Sequence, residues 1–329
     1  MNRRPDPSGP SVEKPFDYIP FAQSDEVKAA KAPPAGHHRY DPTLCTGYLT
    51  GEISVLTPVH VASGTLELTK RVAPNLAPAT PLIKGFVRSG GVRVIPGSTL
   101  KGAVRSVVEA ITPSTVGKVG RQTNIPPFLR EPTGVNKDKA PAQNPLSPAD
   151  RLFGVMDYLG QVCFSDARQL GDAAVLIRMP SLFAPRTQGP ARGRKFYKHG
   201  RPATGNTPVE AVPVNGRFAF RCDFENLSEA ELGVLLLALG QGEPALHLKL
   251  GGGKPACYGS VRITVEHLQL RRNMVEDYLN WEGNEQEATA ATYINVALAD
   301  EKLLLAEQLR RLQQTLRYPN DRDCPTGNY

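Results

Sequence analysis

Apolar and polar positions alternate at period two from Gly47 to Val61. Ile53, Val55, Val59 and Val61 share one face, with Glu52, Ser54 and His60 on the other, the pattern of a half-buried strand. Pro58 has no N–H for a ladder, so this strand is predicted to run along a sheet edge or to bulge there, and His60 reads as a lone surface position. Val92–Ile95 forms a second short strand, followed by a Pro96-Gly97 turn and by Ser98, a residue suited to cap a helix. Leu100, Ala103, Val104, Val107, Val108 and Ile111 then recur at helical spacing, with Lys101, Arg105 and Glu109 on the other face and Pro113 as a stop.

Residues 112–150 are rich in Pro, Asn and Lys, have little periodicity and read as an insertion. Strand patterns return at Gln161–Phe164, near Ala174–Met179 and at Arg217–Phe224. Ser228 and Glu231 stand at the spacing of a capping box. Behind them Leu232, Leu235, Leu236 and Leu239 form an apolar stripe that Gly240 ends. The last strands, Leu246–Leu250 and Ser260–Val265, flank a glycine-rich turn. A helix is predicted over 299–317, with Leu305, Leu309, Leu312 and Leu316 on one side, packing on its own domain. The order of elements fits an α+β fold, a ferredoxin-like βαββαβ unit with inserted loops and a C-terminal helix. The expected division is an extended arm over 1–43, a main domain over 44–270 with insertions at about 112–150 and 180–212, and a helical extension over 271–329.

Charge sharpens this picture. The net charge is +7, and seven basic residues with no acid fall between Ala173 and Thr207, whereas from Asn273 onward ten acids face five bases. A local basic excess favours a polyanionic partner, nucleic acid first. The five cysteines form no CxxC pair, which argues against a zinc site. Their odd number, and an N-terminus without signal-peptide character, lead to the expectation of a reducing, cytoplasmic setting. No apolar run is long enough to span a bilayer.

Three segments carry candidate chemistry, each with a plainer reading beside it. Ile95-Pro-Gly-Ser-Thr-Leu-Lys-Gly102 sets backbone N–H groups, Ser98, Thr99 and Lys101 at a helix start, one turn before Arg105. Such an end binds phosphate, or is an ordinary capped helix. Gly251, Gly252, Gly253 and Lys254 join two strands, allowing backbone close to a ligand or forming a flexible hairpin. Arg192, Arg194, Lys195 and Lys198 interleave with Phe196, Tyr197 and His199. Bases stack on aromatic rings while cations hold phosphates, though a solvated charged loop has the same composition.

Together these segments resemble the repeat-associated mysterious protein (RAMP) superfamily of CRISPR-associated proteins. The resemblance rests on Gly47–Pro58, ending in Thr-Pro, then Ile95–Gly102, Leu152-Phe-Gly154 and the turn Gly251–Gly259, in that order. Phe16–Phe21 and Phe196–His199 are similar to one RAMP subfamily of type III loci. The resemblance covers roughly 14–270 and implies a palm like an RNA-recognition motif, with inserted thumb loops. It also implies a backbone subunit of a type III effector, stacked along guide RNA beside other subunits and helping to present target RNA. Sequence would then be read by guide–target pairing. In many such subunits an aspartate after the first strand cuts target RNA with a divalent metal. The corresponding loop here, Ala62–Lys70, offers only Glu67. The expectation is therefore a binding subunit without a cofactor, with Mg2+ entering only if RNA is cut. The alternative is an endoribonuclease. Glu67, Asp166 and Asp150 are its candidate metal carboxylates, and His60 or His199 its candidates for metal-free acid–base chemistry.

Overall fold

The computed structural model describes residues 14–72, 80–117, 125–130, 144–182, 191–271, 279 and 285–324. The strands are β1 (Phe16–Ile19), β2 (Cys45–Val55), β3 (Ala62–Leu68), β4 (Leu82–Phe86), β5 (Arg88–Ser89), β6 (Val92–Ile95), β7 (Gly154–Val155), β8 (Tyr158–Leu159), β9 (Val162–Phe164), β10 (Ala167–Leu170), β11 (Val175–Met179), β12 (Arg194–Tyr197), β13 (Thr207–Ala211), β14 (Arg217–Leu227), β15 (Leu248–Lys249), β16 (Ser260–Arg271) and β17 (Glu285–Glu287). The helices are α1 (Ser24–Ala29), α2 (Thr69–Val72), α3 (Gly97–Ile111), α4 (Pro148–Phe153), α5 (Glu229–Ala238), α6 (Ala290–Ala299) and α7 (Ala306–Thr315).

The main sheet runs β15-β16-β2-β14-β10-β6-β5, with β9 also on β14 and β17 on β16. Its central strands pair antiparallel. Taken with α3 after β2 and α5 after β14, the spatial order β16-β2-β14-β10 is that of a ferredoxin-like βαββαβ unit. The cause is visible in β14. Phe218, Phe220, Cys222 and Phe224 are buried on one face, and Arg217, Ala219, Arg221 and Asp223 lie on the other. The buried face of the sheet meets Leu100, Val104, Val108 and Ile111 of α3 and Leu232, Leu235 and Leu236 of α5 in one cluster. The capping box at Ser228 and Glu231 is formed.

A second sheet, β11-β13-β4-β3, is built from inserted segments. Glu210 of β13 ties it to β5 and β6. Its buried carboxylate accepts from Phe86 N at 2.9 Å, pairs with Arg93 at 2.6 Å and also pairs with Arg88. Removing one partner from a buried ion pair costs about 3–5 kcal/mol, because it strands the other charge.

Several details depart from the pattern in the sequence. β2 stops at Val55, before Pro58, and lies in the middle of the sheet between β16 and β14. Proline therefore sits in the connection, where no ladder bond is lost. The helix expected over 299–317 is shorter, α7 starting at Ala306, because the Asp300 carboxylate accepts from the N–H groups of Lys302 and Leu303 and turns the chain, and a helix that the sequence pattern did not announce, α6, precedes it. Both pack on the main core, through Tyr293, Ile294 and Ala297 of α6 and through Leu309, Leu312 and Leu316 in and after α7. The N-terminal segment is not wholly extended: β1 pairs with β12 and sends Ile19 into the main core, while Val27 of α1 packs with Val116, Leu129 and Leu305. Cys257 and Cys324, isolated in sequence, form a disulfide with Cα atoms 5.9 Å apart. The fold returns residues 320–324 to the glycine-rich turn, a proximity that spacing along the chain does not reveal.

Candidate nucleic-acid interface

Three segments distant in sequence line one cleft of about 310 Å3. The start of α3 gives Ser98 and Thr99, with Ser106 further along. β12 gives Lys195, Phe196 and Tyr197. The edge strand β15 and the glycine-rich turn give Lys249 and Lys254. Each is positioned by ordinary folding forces. The apolar stripe of α3 packs on the core and leaves Ser98, Thr99 and Ser106 at the cleft. Pairing with β1 holds β12 extended, Phe196 opposite Asp17 and Lys195 opposite Tyr18. Gly251 has φ +73°, and a Cβ there would collide with the carbonyl oxygen of His60. Glycine lets the turn lie on that backbone, Gly252 N donating to His60 O at 2.8 Å. The close approach at Gly251 is thus to protein, and its product is the placement of Lys254.

The electrostatics of the cleft follow from its membership. Three lysines line it, and among the described lining residues none is acidic. Burial pushes the Lys249 ammonium down to about 7, the charges of Lys254 and Arg322 adding to the effect. Its Nζ donates to Tyr258 O at 3.2 Å. Burial also lowers Lys254 and Lys195. The Lys195 ammonium lies 3.7 Å from the Phe16 ring centroid and 4.9 Å from that of Tyr197, a cation–π clamp. Desolvated lysines without a carboxylate are stabilised by a bound anion.

The other sequence candidates separate into those near the cleft and those committed elsewhere. Lys101 is half-buried, its ammonium lowered by burial first. Arg192 is exposed, just before β12. Arg105 and Arg194 both turn inward to Glu109. That buried carboxylate pairs with Arg105 at 2.7 Å and with Arg194, and accepts from Gly117 N at 3.0 Å. Arg105 also reaches Asp150 at 3.2 Å and donates to Gly154 O at 2.7 Å. The two arginines brace the fold, and the reading of them as phosphate ligands is set aside. Lys198 pairs with Asp17 at 3.2 Å, outside the cleft.

The acid–base candidates do not converge. Glu67 lies 3.6 Å from Arg88 on the second sheet. Asp150 is fully buried and accepts from Ser147 at 2.7 Å and Thr115 at 2.5 Å. Asp166 accepts from Gly97 N at 2.9 Å and so occupies the helix end that the sequence offered to a phosphate. Among the described residues no group of three or more His, Cys, Asp or Glu side chains could hold a metal. His60 is buried rather than on the surface, its Nδ1 donating to Glu210 O at 2.6 Å, and burial lowers its pKa. His199 is buried too. Its Nε2 donates to His247 O at 2.9 Å and its Nδ1 accepts from Ser260 at 2.8 Å. Burial takes it to about 3, the Lys249 charge adding to the fall. A histidine so placed is neutral and holds loops together.

Lys249 is the lining residue that sequence reasoning missed. It reads as one polar position in a strand, and only its register beside Ser260 on β16 brings it to the cleft. The open face of the main sheet carries ion pairs. Arg217 meets Glu52 at 3.2 Å, and Arg221 meets Asp223 at 2.7 Å while stacking 3.7 Å from the Tyr48 ring.

The fold is thus a ferredoxin-like sheet with a lysine-lined cleft beside a glycine-rich turn. The sequence profile of the RAMP superfamily matches residues 52–262, and the chain belongs to that superfamily. Membership carries a CRISPR-associated, RNA-binding function. No curated protein matches the chain. No helix among the described residues is long and apolar enough to cross a membrane.

Proposed function

We propose that this chain is an RNA-binding subunit of a type III CRISPR effector complex, gripping the guide RNA backbone at the cleft and helping to present target RNA beside other subunits. The observation that carries this reading is the meeting of Lys195, Lys249 and Lys254 with the hydroxyls of Ser98 and Thr99 around one cleft without an acid. Lysines supply point charges for phosphate, and Phe196 and Tyr197 offer faces to an unstacked base. The recognition is of backbone, so affinity is independent of sequence and falls with salt. The engaged carboxylates and buried histidines favour binding without cutting.

Salt-dependent binding of a fluorescent single-stranded RNA tests the reading. Lys195→Ala with Lys254→Ala should reduce the slope of log affinity against log salt by roughly 1.4, about 0.7 for each lost phosphate contact. An unchanged slope with the fold intact would remove the cleft from the interface. Co-purifying RNA of defined length is the expected companion result.

A further inference from the structure

Beyond the cleft, a second groove opens between β1, α7 and the last described residues. One part, of about 540 Å3, is lined by Lys198, Arg310, Arg311 and Arg322, with Asp17 as the acid among its described lining residues. The adjoining part, of about 510 Å3, is more apolar and is lined by Pro244, His247 and Tyr318. Arg310 and Gln314 line both parts, so the basic and apolar portions meet along one helix.

Two features distinguish this groove from a merely charged surface. His247 is 7% exposed, and its Nδ1 has no hydrogen-bond partner among the described residues. Burial lowers the pKa of His247, so the ring is neutral and Nδ1 can give or take one hydrogen bond. An unpaired buried polar atom destabilises the empty site, and a hydrogen bond to a ligand relieves it. The Tyr318 ring lies 5.6 Å from that of His247 and adds an aromatic wall. An apolar slot with an aromatic wall, edged by Gln313, Gln314 and Arg317, beside a cluster of cations, has the two halves of a nucleotide site: base and phosphate.

The groove also adjoins the cleft. Lys195, Phe196 and Tyr197 line the cleft, and the next residue, Lys198, lines the groove. Leu316 lines the cleft, and Thr315 before it lines the groove. Arg310 and Arg311 share one partner, Glu307, at 2.9 and 2.7 Å on an exposed surface. Such pairs contribute little, so an RNA phosphate competes for these arginines at small cost.

We infer that α7, the Pro244–His247 segment and residues 318–322 form a second nucleotide-binding subsite, which takes an unstacked base and its phosphates as single-stranded RNA leaves the cleft. The inference rests on the RNA-binding reading. It extends the RNA track onto α7 and residues 318–322, which lie outside the span 52–262 that matches the family.

The test uses the full chain with a 20-nucleotide RNA carrying 4-thiouridine throughout. Irradiation should crosslink RNA to the peptide containing Tyr318 or to that containing His247, in addition to cleft peptides. Arg310→Ala with Arg311→Ala should lower the salt slope by roughly 1.4 with an unchanged thermal midpoint, since both side chains pair on the surface. Crosslinks confined to the cleft and an unaltered salt slope, in a protein that binds RNA and is weakened by the Lys195 and Lys254 changes, would overturn this inference alone. Absence of RNA binding by the unaltered protein would overturn both readings.

Discussion

Lys249 shows how a single side chain couples the site to the stability of the fold. Its ammonium faces Lys254 and Arg322, lies near His199 and is nearly sealed from water. The folded value of about 7 stands against about 10.4 in an unfolded chain. Between those values the unfolded state holds more protons, so stability rises with pH through this window, and below pH 7 the penalty is present in full. Lys249→Met removes the charge while keeping the stem. It should stabilise the protein at pH 7 by on the order of 2–4 kcal/mol and flatten the rise between pH 7 and 10, leaving the part due to Lys254, Lys195 and Lys101, as read by denaturant unfolding at several pH values. An undiminished rise would place its origin in the other lysines. The same variant should bind RNA more weakly, because what burdens the empty cleft is what attracts phosphate.

At the scale of elements, the network around Glu109 decides where β12 lies. α3 contributes Arg105 and Glu109, α4 contributes Asp150 and β12 contributes Arg194, so three elements meet at one set of buried charges. Burial pushes the Glu109 carboxyl up, with Arg194 and Arg105 opposing. Glu109→Gln leaves two guanidinium groups facing a neutral amide, at an expected cost of about 3–5 kcal/mol. Denaturant unfolding would measure the loss. Amide exchange should speed up in β12 before the main sheet, since β12 has β1 as its strand partner. Equal protection of β12 in the variant would mean that the β1 ladder holds the strand unaided. The sequence carried one half of this network openly: Arg105 and Glu109 stand four apart on a polar helical face. It hid the other half, because Arg194 and Asp150 reach them only through tertiary structure. For the same reason a basic run that reads as a solvated loop contains an ordered strand at 194–197, whereas residues 183–190 of that run lie outside the described residues. The periodic elements α3, β14 and the capped α5 were legible because local pattern and burial agree. Lys249 and the Cys257–Cys324 bond were not, because strand register and chain return determine them.

At the scale of the whole molecule, the question is whether residues 290–316 are an appendage to the ferredoxin-like unit or part of it. Tyr293, Ile294, Ala297, Leu309, Leu312 and Leu316 share one cluster with Leu49, Phe218 and Leu235 of the sheet and α5. A close approach is at Gly233, inside α5, where a Cβ would fall on the Tyr293 carbonyl oxygen and against Ala297. Glycine in a helix interior ordinarily destabilises by about 1 kcal/mol relative to alanine, so Gly233→Ala would stabilise a helix facing open space. Here it should do the reverse. The backbone of α6 must shift to admit the methyl group, and overpacking of this kind costs roughly 1–3 kcal/mol, which outweighs the propensity gain. Thermal unfolding of the variant decides between the two signs. A lowered midpoint shows that α6 is seated on α5 as part of the core. A raised midpoint would mean that α6 gives way freely, and that the groove on α7 is carried by a detachable element rather than by the fold.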